Sequence, residues 1–167
     1  MKKKALIVSI KGFKLSNKER TFLSNEKPWG LILFKRNILS INQLKNLTHE
    51  IKRLTKNKNF PILIDEEGSS VSRLNNIFNH STNANYFGKL YKKNKKISLI
   101  LYKFYLRSLC ENLKTIGINV NTIPVLDVLR KNTNKIIGNR SFSEKKEIVK
   151  KLGETTVKEC HSRKILT

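Results

Sequence analysis

The 167-residue chain has few acidic side chains and no long apolar run. Only 12 residues are Asp or Glu, against 35 that are Lys or Arg, so the formal net charge is +23. No apolar stretch approaches the eighteen or so residues that cross a bilayer. The Lys-rich start is followed by the short apolar run 5–10, which is too short for the core of a signal peptide. We therefore expect a cytoplasmic protein with no membrane partner.

Cysteine and histidine are too few and too scattered to suggest a metal centre. Cys110 and Cys160 stand fifty positions apart without a CxxC partner, which argues against a disulfide framework and against a zinc knuckle. His49, His80 and His161 have no carboxylate or Cys at metal-ligand spacing. GxSxG, P-loop and GxGxxG motifs are also absent. The sequence predicts no metal, no cofactor and buried or inactive thiols.

The basic excess has two interpretations. Clustered Lys and Arg favour nucleic-acid binding through counterion release. Lys (27), Asn (19) and Ile (18) together make up 64 residues, however, and this is the bias expected from codon drift in an AT-rich genome. Lys outnumbers Arg by 27 to 8, and the densest run, residues 89–96, contains no Arg, although Arg is the better side chain for phosphate recognition. The run favours a solvated loop, and nucleic-acid binding remains the alternative.

Apolar segments alternate with helical patterns along the chain, which is typical of a βα fold with a parallel sheet. The strands are predicted at residues 5–10, 29–34, 60–64 and 118–120, and the first of them is expected to be buried. The helices are predicted at residues 17–24, from Ser40 onward, at 97–116 with Gly117 as the stop, and from Ser143 to about residue 163. Ser40 and Gln43 match a capping box, and one apolar face follows them. Residues 165–167 resemble the start of a fifth strand.

The number of βα units predicts an incomplete barrel. A closed (β/α)₈ barrel takes about 250 residues, so four units and a fragment correspond to the N-terminal half of a TIM barrel that does not close. Such a sheet keeps two open edges, and the missing half would come from another chain or be lost by truncation. No linker, repeat or composition shift divides residues 1–167, so we expect one domain.

Three of the twelve acidic residues stand together where a predicted strand ends. Asp65, Glu66 and Glu67 follow the third strand, and Gly68 comes next. Ligands bind at the carboxyl ends of barrel strands, and clustered carboxylates need a compensating charge, for which Arg73 is a candidate. Arg140, in the loop before the last helix, is expected on the same face. An acidic turn facing water and a solvated Arg are the alternatives at this point.

Four motifs then indicate a known family. PWGLILFKRNI resembles G-G-x-I-L-F-x-R-N, ILIDEEGSSVSRL resembles D-Q-E-G-G-x-V-x-R-L, INVNTIPVLDV resembles F-A-P-V-L-D, and IIGNRSF resembles I-G-x-R-S-F. They occur in the same order and at matching spacing over nearly the whole chain. The sequence thus resembles the N-terminal half of the catalytic barrel of glycoside hydrolase family 3, specifically the bacterial β-N-acetylhexosaminidases of cell-wall recycling.

The resemblance implies a substrate and a set of binding residues. Asp65, Arg73 and Arg140 match positions that hold the hydroxyls of a terminal N-acetylglucosamine, and carboxylates and guanidinium groups suit that task. The implied activity removes non-reducing terminal N-acetylglucosamine from peptidoglycan fragments by a retaining mechanism with a covalent glycosyl-enzyme intermediate. The implied partner is a GlcNAc-containing saccharide or muropeptide.

The sequence also departs from the family pattern. Gly68-Ser69-Ser70 stands where the family often has Gly-Gly-Arg. The family's Lys-His-Phe-Pro-Gly-His-Gly segment, its His-Asp acid/base pair and its Asp nucleophile have no counterpart in the 167 residues. We therefore assign no catalytic residue and expect the chain alone to be inactive. A non-catalytic sugar-binding remnant and a Lys-rich nucleic-acid-binding protein are the alternative functions.

Overall fold

The chain forms a four-stranded parallel sheet with helices between the strands. The computed structural model describes residues 4–79 and 81–167, so His80 lies outside the described residues. The strands are β1 (Lys4–Val8), β2 (Pro28–Leu33), β3 (Ile62–Ile64) and β4 (Val120–Asn121). They pair in the order β1-β2-β3-β4, and every pairing is parallel. Sheet order therefore equals chain order, as in a (β/α) barrel.

Five α-helices are described, one more than the sequence predicts. They are α1 (Asn17–Glu26), α2 (Ile41–Leu54), α3 (Ala84–Lys93), α4 (Lys95–Thr115) and α5 (Lys146–Ser162). Two short 3₁₀ helices, Lys35–Asn37 and Gly138–Arg140, follow β2 and precede α5. The helix α3 corrects the solvated-loop interpretation of residues 89–96, because most of that run lies in α3 or opens α4. The Lys side chains of the run are exposed, so solvation was the correct part of that prediction.

The core lies between the sheet and the helices. Leu31, Leu33, Ile62 and Ile64 are fully buried, as expected for central strands of a parallel sheet that are covered on both faces. The strand β1 contradicts the sequence analysis, because residues 4–7 are exposed and Val8 is only half-buried. Its position explains the difference. Among the described residues β1 pairs only with β2, so it is an edge strand.

The other edge of the described sheet carries one further parallel contact. Leu166 forms a parallel bridge with Val120, and the Asn121 backbone N–H donates to the Leu166 carbonyl at 2.9 Å. The first contact of a fifth strand is therefore present, at the position that the sequence indicated. The described sheet is not closed, and the predicted fold class, an α/β half-barrel with parallel strands, is confirmed.

Local sequence signals set the helix boundaries with small differences. Ser16 and Glu19 form a complete capping box at α1, which the sequence analysis missed. The Ser40 hydroxyl accepts from the Gln43 backbone N–H at 3.2 Å, but the Gln43 side chain turns to the Leu39 backbone N–H, so that box is incomplete. Helix α5 begins at Lys146 rather than at Ser143. No described helix is long and apolar enough to cross a membrane.

Candidate functional site

A cavity of about 760 Å³ opens at the carboxyl ends of β3 and β4. This is the edge of a parallel sheet where ligands bind, and the volume is within the usual range for small-molecule sites. Three segments line the cavity: the turn after β3, the segment after β4, and the loop that includes the 3₁₀ helix Gly138–Arg140. Its polar lining side chains include Asp65, Glu67, Ser70, Arg73, Thr122, Lys135, Asn139 and Arg140.

Asp65 is held from two sides. Its carboxylate accepts from Arg73 Nη2 at 2.9 Å and from Thr122 Oγ1 at 2.8 Å. The side chains of Asp65 and Arg73 keep 22% and 30% of their surface exposed, so both still face the cavity. The Arg73 guanidinium also lies over the Phe34 ring, with its carbon 5.9 Å from the ring centroid, in a cation–π arrangement. The compensating role expected of Arg73 is therefore present.

Glu66 points away from the cavity and holds the turn after β3 together. It is fully buried, and its Oε2 accepts from the backbone N–H groups of Arg73 and Leu74 at 2.9 and 3.0 Å. Its own backbone N–H and carbonyl pair with the Asn121 side chain at 3.0 and 2.9 Å. A buried carboxylate that accepts backbone N–H bonds is strongly anchored. Glu66 thus fixes the segment that carries Arg73.

Glu67 forms the closest ion pair of the site, with Arg140. Arg140 Nε donates to Glu67 Oε2 at 2.7 Å, and Nη2 donates to Oε1 at 2.9 Å. This two-point geometry adds direction as well as strength. The hydrogen bond to Glu67 raises the pKa of Arg140, and the negative charges of Glu67, Asp127 and Asp65 raise it further. The pair joins the turn after β3 to the loop before α5.

The turn between Glu67 and Arg73 requires glycine at one position. Gly68 has φ of +129°, and a Cβ there would lie 2.5 Å from the Thr82 carbonyl oxygen. The backbone N–H and carbonyl of Gly68 both bond to Val71, which closes a narrow loop. Ser69 and Ser70, where the resembled family often has Gly and Arg, are exposed, and Ser70 lines the cavity. The cavity wall therefore lacks the Arg charge that the resembled family often has there, while the glycine that the turn requires is kept at Gly68.

Helix α3 supports the loop that carries Arg140. Gly88 of α3 packs against the Phe142 backbone so closely that a Cβ would lie 1.7 Å from the carbonyl oxygen. Phe87, Tyr102 and Tyr105 form an aromatic cluster next to Phe142, with ring centroids 4.6 to 6.3 Å apart. Burial and the neighbouring negative charge of Glu66 raise the pKa of Tyr105. The support behind the loop that carries Arg140 is therefore aromatic and tightly packed.

The structure brings the three sequence-predicted residues into one cavity. Asp65, Arg73 and Arg140 all line it, whereas Asp127 is exposed and does not. Glu67 and Thr122 are site residues that the sequence analysis left without a role. Glu67 belongs to the acidic cluster that was singled out, but only the fold reveals that Arg140 is its partner. No group of His, Cys, Asp or Glu suited to a metal ion occurs within residues 4–79 and 81–167.

The arrangement suits a polar ligand with several hydroxyl groups. The carboxylate and the two guanidinium groups supply acceptors and donors of fixed direction, while Val71, Val125 and Ile136 add apolar contact area. Asp65 is paired with Arg73 and Glu67 with Arg140, and Lys135 adds one further positive charge to the lining. Oriented hydrogen bonds then govern its selectivity.

Comparison with known proteins identifies the family. The family model described as "Glycosyl hydrolase family 3 N terminal domain" matches residues 2–167. The chain belongs to glycosyl hydrolase family 3. The family-3 resemblance drawn from four sequence motifs is confirmed.

Similar family-3 proteins extend beyond the region matched here. Proteins named beta-hexosaminidase from Xanthomonas campestris pv. campestris (strain B100) and Stenotrophomonas maltophilia (strain K279a) are 27% and 28% identical over 157 residues. Each match covers 94% of this chain and 46% of the relative. NagZ from Neisseria gonorrhoeae, solved in complex with N-trifluoroacetyl-D-glucosamine, is 31% identical with a TM-score of 0.84. That match covers 96% of this chain and 48% of NagZ, so the chain spans about half the length of these relatives.

Proposed function

We propose that the chain is the sugar-recognising half of a β-N-acetylhexosaminidase and binds a non-reducing terminal N-acetylglucosamine. The observation that supports this best is the convergence of Asp65, Arg73 and Arg140 on one cavity at the carboxyl ends of parallel strands. Asp65 accepts hydroxyl hydrogens, and the two guanidinium groups donate to hydroxyl oxygens. The N-trifluoroacetyl-D-glucosamine complex of NagZ, a 31% identical protein, supports the same ligand class.

Each proposed contact is supported by the local geometry. Arg73 and Thr122 each donate to one carboxylate oxygen of Asp65, and each of those oxygens has further lone pairs for a ligand. Arg140 is oriented by its two-point pair with Glu67. A pyranose with two adjacent hydroxyls would meet an acceptor at Asp65 and donors at the two Arg side chains. Glu67 is then a positioning residue rather than a ligand.

The proposed reaction of the complete enzyme is retaining hydrolysis of the glycosidic bond. That reaction needs a nucleophile on one face of the anomeric carbon and a proton donor on the other. The carboxylates after β3 are already engaged: Asp65 with Arg73 and Thr122, Glu67 with Arg140, and Glu66 with two backbone N–H groups. The proposal therefore assigns recognition to this chain and no catalytic role to its described residues. We propose that the substrate is a peptidoglycan fragment, which muropeptide binding would test. We also propose that the protein acts in the cytoplasm, which cell fractionation would test.

The decisive experiment measures binding of N-acetylglucosamine to the 167-residue chain by saturation-transfer NMR or calorimetry. Asp65→Asn, Arg73→Lys and Arg140→Lys should each weaken binding at least about tenfold, which corresponds to the loss of one charge-assisted hydrogen bond. Arg53→Lys and Glu111→Gln change exposed residues outside the cavity and serve as matched controls. Unchanged affinity in the three cavity variants would refute the proposed site.

A second measurement tests the division between recognition and catalysis. The purified chain should not release the chromophore from a chromogenic N-acetylglucosaminide. Hydrolysis that disappears in Asp65→Ala would contradict the proposal that this chain recognises the sugar without catalysing. Titration with nucleic acid at low and physiological salt tests the remaining alternative, since binding through phosphates weakens steeply with salt.

A further inference from the structure

Two sulfur atoms that have no part in the proposed function lie in contact between α4 and α5. Cys110 is in α4, Cys160 is in α5, and both are buried. Their Sγ atoms are 3.7 Å apart. The sequence contains two cysteines in all, so each thiol has one intramolecular partner. The separation of fifty positions in the sequence argued against a disulfide, but the packing of α4 on α5 brings the two sulfur atoms into contact.

We propose that Cys110 and Cys160 form a reversible disulfide that joins α4 to α5 when the protein meets a peroxide. A disulfide requires an S–S distance of about 2.05 Å, so each sulfur has to move by about 0.8 Å from its present position. Rotation about χ1 is the soft coordinate for a side-chain movement of this size.

The surroundings distinguish the roles of the two thiols. The hydrogen bond with Cys160 and the positive charge of Arg163 lower the pKa of Cys110. The contact with Cys110 and burial raise the pKa of Cys160. Arg163 is held in place because its Nη1 donates to the Glu159 carboxylate at 2.9 Å. Since the thiolate is the reactive form, these directions favour Cys110 as the thiol that attacks first and Cys160 as the one that attacks its product.

The reaction balances with one molecule of hydrogen peroxide. The Cys110 thiolate attacks the O–O bond, forms a sulfenic acid and releases hydroxide. Cys160 loses its proton and attacks the sulfenic sulfur, which forms the S–S bond and releases a second hydroxide. The protons of the two thiols convert both hydroxides to water, and two electrons pass from the sulfur pair to the oxygen pair. Cys160 lies in the last turn of α5, so local opening of that helix end would admit peroxide to the buried sulfurs.

The bond would close a loop that includes a large part of the candidate site. The segment between residues 110 and 160 contains Thr122, which bonds to Asp65, and Arg140, which pairs with Glu67. Cross-linking a long loop restricts the unfolded chain and stabilises the folded one. The disulfide would therefore keep the cavity assembled under oxidising conditions.

The test exposes the reduced 167-residue chain to hydrogen peroxide, quenches it with an alkylating agent and measures its mass. We expect a monomer that has lost about 2 Da, carries no alkyl group and recovers both thiols with dithiothreitol. Cys110→Ser and Cys160→Ser, the matched controls, should show no 2-Da loss. The oxidised wild type should also unfold at a higher urea concentration than the reduced form.

Several results would overturn the inference. They are a wild-type chain that keeps both thiols, one that gains oxygen atoms without losing 2 Da, and one that cross-links only between molecules. A lower urea midpoint for the oxidised monomer would also overturn it, because the bond would then strain the native packing instead of stabilising it. None of these results depends on sugar binding, so this inference can fail while the proposed function stands.

Discussion

Replacing Gly88 by Ala should destabilise the protein, although alanine is the better helix former. Gly88 lies in the middle of α3, where an exposed Gly-to-Ala change would gain about 1 kcal/mol. Here the added Cβ would lie 1.7 Å from the Phe142 carbonyl oxygen and 2.7 Å from its carbonyl carbon. Both atoms belong to the backbone, so no side-chain rotation relieves the overlap. The helix and the loop have to separate by about 1.5 Å to reach normal contact distance.

The separation would disturb several neighbouring interactions. Phe142 is 2% exposed and packs edge-on against Tyr102 at 5.7 Å. Ser98 Oγ donates to the Phe87 carbonyl, one residue before Gly88, at 2.9 Å. Overpacking of a tight core costs about 1–3 kcal/mol and occasionally more. Because the overlap involves backbone atoms, we take the upper end of that range, about 3 kcal/mol, and subtraction of the helix-propensity gain of about 1 kcal/mol leaves a net destabilisation of about 2 kcal/mol.

Urea unfolding followed by far-ultraviolet circular dichroism measures this loss. Gly12→Ala is the matched control, because no atom lies within 4 Å of a Cβ at Gly12, and its stability should stay within about 0.5 kcal/mol of the wild type. If Gly88→Ala were as stable as Gly12→Ala, α3 would not contact the loop that carries Arg140. The account of how that loop is supported would then be wrong.

Three further predictions concern polar pairs. Glu67→Gln should lower the free energy of unfolding by about 1–2 kcal/mol, because it leaves Arg140 facing a neutral amide in a partly exposed site. A double-mutant cycle with Arg140→Gln that gives no coupling energy would contradict this. Tyr102→Phe should lower the free energy of unfolding by about 1–2 kcal/mol, because the buried 2.7 Å hydrogen bond to Thr156 is lost. Chemical denaturation of the wild type and the variant measures this difference. The hydrogen bond from Lys92 lowers the pKa of Glu144 to about 2. The resulting stabilisation should be complete above the ordinary carboxyl pKa of about 4.3 and disappear as the pH falls through about 2. An NMR titration in which the Glu144 midpoint stays low in Lys92→Ala would exclude Lys92 as the cause.

The sequence predicted the central elements of the fold because their signals are local. Residues 29–34 and 60–64 were predicted as strands from their apolar runs; β2 overlaps the first run and begins one residue before it, and β3 lies within the second. Whether a strand lies inside a sheet or at its edge is decided by tertiary pairing. The apolar run of β1 was therefore expected to be buried, yet it is exposed.

Helix α3 was missed for a different physical reason. Its Lys-rich end and its internal Gly88 weaken the helical signal, and Lys runs are typical of solvated loops as well as of exposed helix faces. The structure explains the glycine, because only a residue without Cβ allows α3 to approach Phe142. The glycine that this close contact requires therefore weakened the helical pattern in the sequence.

The candidate site shows the same division between local and distant information. Asp65 and Arg73 are eight positions apart, and their pairing could be expected from the sequence. Glu67 and Arg140 are 73 positions apart, and nothing in the local sequence of either residue identifies the other. The use of Asp65, Arg73 and Arg140 as sugar ligands remains a prediction from the family resemblance, which binding measurements test.

The long-range pair between Glu67 and Arg140 also affects the order in which the molecule can acquire its shape. Contacts between distant positions carry a larger loop-closure entropy than local ones, and they slow folding. The helices can form early from local signals, whereas the cavity exists only after the 73-residue span between its two walls has closed. A ligand that binds only the assembled cavity would therefore report completed folding. During refolding, the signal of the bound ligand should appear later than the circular-dichroism signal of the helices.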